Sequence, residues 1–368
     1  MEDGNAVLKR KRDATERDTV PSAKRSCAPP TPAAGRVATH SAEKLLLERR
    51  NGHPRDERLS FVERSHTYWL YPSAEDRRLG VNGSIVGTSV TGFLGDLFPK
   101  FQAAAIARAM VRAREFPIEE RRRDYWDLPL FTENRSLSSL RASRPSTPDT
   151  EFLSLRTGAE ESARVVLAHW DESGRRAADL GTRLHADIER HYNRLDVCNE
   201  TTEYAHFLAY AADVEAEGWV PYRTEQCLFD QDFDLAGSVD MQFARREHMD
   251  LPAAERPVPL RASADWKRSK DVRFEGYRSE CGLREAAALP NANGWKYCLQ
   301  IATYAALLER HYGVKVVQRE FVVFHPNNDG YRLYDVDKHA RTLLSERTCD
   351  AIVEAALKRR AATVVTKV

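Results

Sequence analysis

Leu235-Ala236-Gly237-Ser238-Val239-Asp240-Met241-Gln242-Phe243 and Val258-Pro259-Leu260-Arg261-Ala262-Ser263-Ala264-Asp265-Trp266-Lys267 are two apolar runs of strand length, each carrying an aspartate inside or at its end. A carboxylate in that setting must be paired or bound to a cation, because an isolated buried charge is too costly to keep. In Asp265-x-Lys267 the alternation of a strand puts both side chains on one face, so the ammonium lies beside the carboxylate. Two carboxylates on neighbouring strands make a hard oxygen site suited to Mg²⁺ or Mn²⁺. Beside it, a lysine can orient or deprotonate a water and offset charge on a phosphate, while the metal acidifies water and polarises a phosphoryl oxygen. Taken alone, Asp-x-Lys reads equally as a salt bridge at a strand end, leading into the solvated run Lys267-Arg268-Ser269-Lys270.

The flanking pattern is α/β. Helical periodicity covers residues 159 to 193 and 201 to 217, and Tyr222 to Phe229 reads as the first of three successive strands. Downstream the spacing predicts a helix over Trp295 to Tyr312, a strand over Val316 to Phe324, a short strand near Tyr331 and a last helix from Lys338 to Arg359. This order implies a mixed central sheet flanked by helices. Nearer the start, Phe61 to Tyr71 reads as a strand with Ser84 to Ser89 as its partner. Phe93, Leu94, Leu97, Phe98 and Phe101 suit a short helix capped by Ser or Thr and interrupted at Pro99. The chain thus divides into a basic disordered tail (1–50), an N-terminal α+β region (59–133), a Ser/Pro/Arg-rich linker or insertion (134–157), expected to be flexible, and a core (158–360).

Three further features accompany the two aspartates. In Gly181-Thr182-Arg183-Leu184-His185-Ala186-Asp187-Ile188-Glu189, His185 and Glu189 stand one helical turn apart on one face. Glu225 lies in the strand before Asp240, and Gln300 and Tyr304 share a helix face in Tyr297-x-x-Gln300-x-x-x-Tyr304. In order, Gly-x-x-x-His, Glu, Gly-x-x-Asp, Asp-x-Lys and Gln-x-x-x-Tyr resemble the motif series of RecB-like nucleases in the PD-(D/E)XK superfamily, over roughly residues 159 to 324. His66-x-Tyr68, Ser89-Val90-Thr91 through Phe98-Pro99-Lys100-Phe101, and Trp170-x-x-x-Gly174 also look like such nucleases encoded by large DNA viruses.

The resemblance implies a restriction-endonuclease-like core and a metal-dependent deoxyribonuclease, with exonuclease action in recombination, repair or replication processing. It implies that His185, Asp240, Asp265 and the carbonyl oxygen of Trp266 hold Mg²⁺ or Mn²⁺, and that Lys267 is the catalytic lysine. Glu225 matches an acidic position of the first core strand and counts among the catalytic residues with His185, Asp240 and Asp265, Gln300 and Tyr304 would steady the DNA or the site, and Glu189 would stand behind the ligands. Family members with an iron-sulfur cluster bracket the core with clustered cysteines. That arrangement is lacking here, so no cluster is expected. One rival reading is a catalytically silent scaffold of the same fold, which would have lost a metal carboxylate or the lysine. Another is a hydrolase of a different class using His185 and Glu189, for which no third nearby ligand stands out.

Net charge is only +1, so contact with DNA requires a local basic groove, not a basic chain. Arg112, Arg114 and Arg121-Arg122-Arg123, with Tyr125 and Trp126 for stacking, together with Lys270, are candidates; a solvated helix face is the plainer reading of the arginine run. Six cysteines without a C-x-x-C pair suggest a reduced, intracellular setting, and no run of about 18 apolar residues supports a membrane span. Lys9-Arg10-Lys11-Arg12 and, eleven residues on, Lys24-Arg25 have the spacing of a bipartite nuclear-import signal, or simply form a solvated basic tail. Replication or recombination proteins are the partners that the resemblance suggests, and the oligomeric state is left open.

Overall fold

The computed structural model describes residues 45–112, 159–251, 260–343 and 349–365. Two compact units are present, one built from residues 1–99 and 183–368, the other from 100–182. In chain order the elements are α1 (Leu46–Arg50), β1 (Leu59–Val62), β2 (Thr67–Leu70), α2 (Ala74–Arg78), β3 (Ser84–Ile85), β4 (Thr88–Ser89), α3 (Val90–Gly95) and α4 (Ala103–Arg112). They continue with α5 (Ala159–Tyr192), α6 (Thr202–Ala216), β5 (Trp219–Asp230), β6 (Leu235–Arg245), α7 (Arg246–Met249), β7 (Leu260–Lys267) and α8 (Asn293–His311). The last are β8 (Lys315–Val323), β9 (Arg332–Asp335), α9 (Val336–Leu343) and α10 (Cys349–Val365). In the smaller unit, Ala107 and Val111 of α4 pack with Ala163 and Val166 of α5.

The larger unit is a mixed α/β structure whose main sheet has six strands. β6 is its centre, and ten of its eleven positions from Leu235 to Ala244 include only one, Ser238, that is not buried. That is the near-continuous burial expected of a strand covered on both faces. β5 pairs antiparallel with the whole of β6, from Trp219↔Arg245 to Asp230↔Leu235. Two strands share the remaining edge of β6. β4 runs parallel at Leu235 and Ala236, and β7 runs antiparallel from Met241 to Ala244. β7 then pairs parallel with β8, and β8 antiparallel with β9. A parallel pair needs a long crossover, supplied here by α8, whose Trp295, Leu299, Ile301, Ala302 and Leu308 bury one side of the sheet together with α3 and α10. Leu184, Ile188 and Tyr192 of α5, with Phe207 and Tyr210 of α6, cover the other side over Met241, Phe243, Trp266 and Phe324.

Several expectations shift. Residues 61 to 71 form a hairpin of two strands, not one strand, because Glu63–Ser65 make a 3-10 turn and His66 adopts φ 47. Ser84 to Ser89 splits: Ser84 and Ile85 pair with β2, whereas Thr88 and Ser89 cross to the main sheet. Ser89 Oγ accepts the Gly92 amide at 3.0 Å and caps α3, as its sequence suggests. Part of the stretch read as tail is packed on the larger unit: Leu47 is buried and its amide donates to Asn193 Oδ1 at 2.9 Å. The final helix is two, α9 and α10. The region expected to be a flexible linker, Arg114, Arg121–Arg123, Tyr125 and Trp126 lie outside the described residues, as does the side chain of Arg112. Cys227, Cys281, Cys298 and Cys349 are free.

Candidate metal centre

Asp240 stands where the edge of β6 changes partner. Between Ala236, paired to β4, and Met241, paired to β7, residues 237 to 240 have no strand partner on that edge. The Trp266 amide, past the last β6–β7 pair, donates instead to Asp240 Oδ2 at 2.7 Å. Across β5 the ladder keeps its register at the same level, Thr224 pairing with Met241 and Gln226 with Val239, but Glu225 between them, level with Asp240, has φ 45. A non-glycine residue in the left-handed region is strained unless its surroundings hold it. Here Ser238 Oγ donates to Glu225 Oε2 at 3.1 Å and holds the carboxylate toward Asp240.

His185 arrives from the C-terminal part of α5, positioned because Leu184 and Ile188 beside it are buried against the sheet. Its Nδ1 lies 3.6 Å from both Glu225 Oε1 and Asp240 Oδ2, and its Nε2 lies 3.1 Å from the Trp266 carbonyl oxygen. Ligand atoms of His185, Glu225 and Asp240 all fall within 4.8 Å of one another. Burial disfavours a charged imidazole, but Asp240 and Glu225 outweigh it and raise the His185 pKa to about 9.

Asp265 and Lys267 form an ion pair next to this trio. Asp265 is 2% exposed, and its Oδ1 accepts no hydrogen bond. Burial, then the charge of Asp240, push its pKa up to about 6 against the pull of Lys267. Burial likewise works against the Lys267 ammonium, but Asp265 and Asp240 raise its pKa overall, so it is a cation at neutral pH. Lys267 Nζ also donates to Gln300 Oε1 at 3.1 Å and sits 4.8 Å from the centre of the Tyr297 ring. Gln300 Nε2 donates in turn to Tyr304 Oη at 3.2 Å. The Tyr304 ring explains Gly237: a Cβ there would stand 2.7 Å from Tyr304 Cε1 and 2.8 Å from Val90 Cγ2.

His185, Asp240 and the Trp266 backbone are therefore joined by direct contacts, and Asp265, Lys267, Gln300 and Tyr304 form a second chain of contacts along the adjoining residues of β7 and α8. Glu225, expected as a catalytic acidic position of a core strand but not as a metal ligand, completes the compact trio, and Asp265, expected as a ligand, stands outside it. Glu189 is not in the cluster, and Lys270 is exposed on the segment after β7. Three partners are not legible in the motifs. Ser238 orients Glu225, Tyr297 supports Lys267, and Arg268 is pinned to Glu203 of α6 by Nη2–Oε1 at 2.8 Å. Of these only Tyr297 carried a signal, since it precedes Gln300 by three and shares its helix face.

The donor set suits a hard divalent cation. Two carboxylates and one imidazole meet at the fork, and beside them Asp265 Oδ1 lacks a donor while burial, then the charge of Asp240, raise the Asp265 pKa. No protein-family model matches the chain, and no curated protein matches it.

Proposed function

We propose that this chain is a divalent-metal-dependent deoxyribonuclease with a restriction-endonuclease-like core, RecB-like in its motif order, that hydrolyses phosphodiester bonds from DNA ends. The observation that carries the reading is the gathering of His185, Glu225 and Asp240 at the fork of β6 with the Asp265–Lys267 pair beside them. A lone Asp-x-Lys salt bridge explains neither the imidazole nor the strained Glu225.

His185 and Asp240 would hold Mg²⁺ or Mn²⁺ with Glu225, Asp265 and the Trp266 carbonyl as the remaining oxygen donors. When bound, the cation would lower the pKa of water and polarise the phosphoryl oxygen. Lys267 faces the same place as an ammonium and would stabilise charge growing on the phosphate as water adds to phosphorus and the ester P–O bond breaks. Gln300 holds that ammonium in position, and Tyr304 fixes Gln300. Recombination, repair or replication processing is the setting this activity suits.

End-labelled linear DNA and closed-circular DNA incubated with Mg²⁺ should separate the readings. Linear DNA is shortened, circular DNA persists, EDTA stops the reaction, and Asp240→Asn removes both cleavage and Mn²⁺ binding measured by calorimetry. Cleavage that survives EDTA, or Mn²⁺ binding that survives Asp240→Asn, would reject the site.

A further inference from the structure

We infer that the segment between β7 and α8, residues 268 to 292, is a built platform for an unpaired nucleobase, with Tyr277 as the stacking surface and Arg278 as its phosphate contact. This inference rests on the nuclease reading and names its substrate more closely, as DNA with a single-stranded end.

Both ends of the segment are anchored at the candidate site. It leaves β7 directly after Lys267 and enters α8 ahead of Tyr297 and Gln300, the two side chains against the Lys267 ammonium. Between them it is tied down by many bonds. Asn291 N donates to Glu280 O at 2.7 Å, Gly282 N to Leu289 O at 2.8 Å, and Leu283 N to Leu97 O at 2.8 Å. Trp295 Nε1 holds the Phe274 carbonyl at 3.0 Å, and a Cβ at Gly276 would come within 2.1 Å of Glu280 O. On this fixed frame Arg278, Ser279 and Arg284 take φ of 51, 59 and 53. Left-handed non-glycine residues persist where the surroundings over-determine them, and they concentrate at ligand clamps.

That backbone holds Tyr277 outward. The residue is 67% exposed, a large apolar surface with no evident packing role. The Arg278 guanidinium carbon lies 5.2 Å from its ring centre, and Arg278 is exposed with no carboxylate partner among the described residues. An aromatic ring open to solvent with an uncommitted guanidinium beside it fits a base and its phosphate: the π-face accepts any nucleobase, and the cation takes the backbone charge. A duplex hides its base faces in the stack, so the platform needs an unpaired strand.

The test is fluorescence anisotropy with a labelled single-stranded oligonucleotide and a blunt duplex of the same length, in EDTA so that cleavage plays no part. Tyr277→Ala should weaken single-strand binding about ten-fold, on the scale of one lost base stack, and leave duplex binding within about two-fold. Tyr277→Phe, which keeps the ring, should bind as the unsubstituted protein does. Arg278→Asn, chosen because Asn tolerates φ > 0, should lower the salt dependence of single-strand binding by about 0.7, the slope of one phosphate contact. Equal single-strand affinity of Tyr277→Ala and the unsubstituted protein overturns the platform while leaving the nuclease reading standing. An unsubstituted protein that binds neither DNA overturns both.

Discussion

Lys267 shows how one residue is committed by several neighbours. Its ammonium is divided among the Asp265 carboxylate, Gln300 Oε1 and the Tyr297 ring, and burial works against its charge while Asp265 and Asp240 favour it. Removing it takes away a preorganised positive charge but leaves His185, Glu225 and Asp240 in place. Lys267→Ala should therefore lower DNA cleavage by about 10² or more while affinity for uncleaved DNA in EDTA changes little. Parallel rate and anisotropy measurements check this, and a variant that cleaves at the unsubstituted rate would remove the lysine from the chemistry. Mn²⁺ should not rescue it, because the metal donors are untouched.

Elements position these residues through strain, close approach and buried polar contacts. Gly237 lets Tyr304 and Val90 pack directly on the β6 backbone, and Glu225 takes a left-handed conformation at the level of Asp240. β8 carries a buried carboxyl of another kind, Glu320, which accepts from Tyr210 Oη at 2.5 Å and Gln318 Nε2 at 2.8 Å. Burial raises its pKa above the usual 4.5 despite both donors. The fold thus binds this proton more tightly than the unfolded chain, so stability is lost as pH rises from about 4.5 through the folded-state pKa. Glu320→Gln keeps the shape without the charge. It should be more stable than the unsubstituted protein at pH 8 by on the order of 1 kcal/mol, a gap that closes near pH 4.5. Urea melts at the two pH values measure it, and a gap independent of pH would show that the carboxyl is not held protonated.

At the scale of the molecule, the larger unit closes its exposed sheet edge with its own N-terminal segment. β5 pairs only with β6, and an unpaired edge invites association with other chains. Asn51 Nδ2 and Arg55 Nη2 donate to the Tyr222 and Phe229 carbonyls of β5, both at 2.7 Å. Asp56 fastens the segment through Arg223 Nη1 at 2.5 Å, with side chains only 9% and 5% exposed, and through Gln226 Nε2 at 2.9 Å. Asp56→Ala strands a buried guanidinium and should cost about 3–5 kcal/mol, read from denaturant midpoints. Asp56→Ala combined with Arg223→Met should recover most of that loss, whereas additive losses would mean that the pair does not act as a unit. Among the described residues no helix is long and apolar enough to cross a membrane.

Much of this protein was legible in its sequence because strand and helix periodicity is local. The three successive strands, the long helix carrying His185 and the crossover helix carrying Gln300 and Tyr304 fall where their apolar spacing puts them, within a few residues. Asp240, Asp265 and Lys267 were marked out by the same means, since charge in a buried strand needs a partner close by. Tertiary structure alone decided what joins them. The parallel pairing of β4 with β6 depends on a contact between residues some 147 positions apart, and the ion pair of Arg268 with Glu203 bridges 65. Glu225 joins the trio with its backbone in the left-handed region and its carboxylate 3.6 Å from His185, and no periodicity records a positive φ at a glutamate. Spacing along the chain reports which face a side chain occupies. Which faces meet is set by the packing of α5, α6 and α8 on the two sides of one sheet.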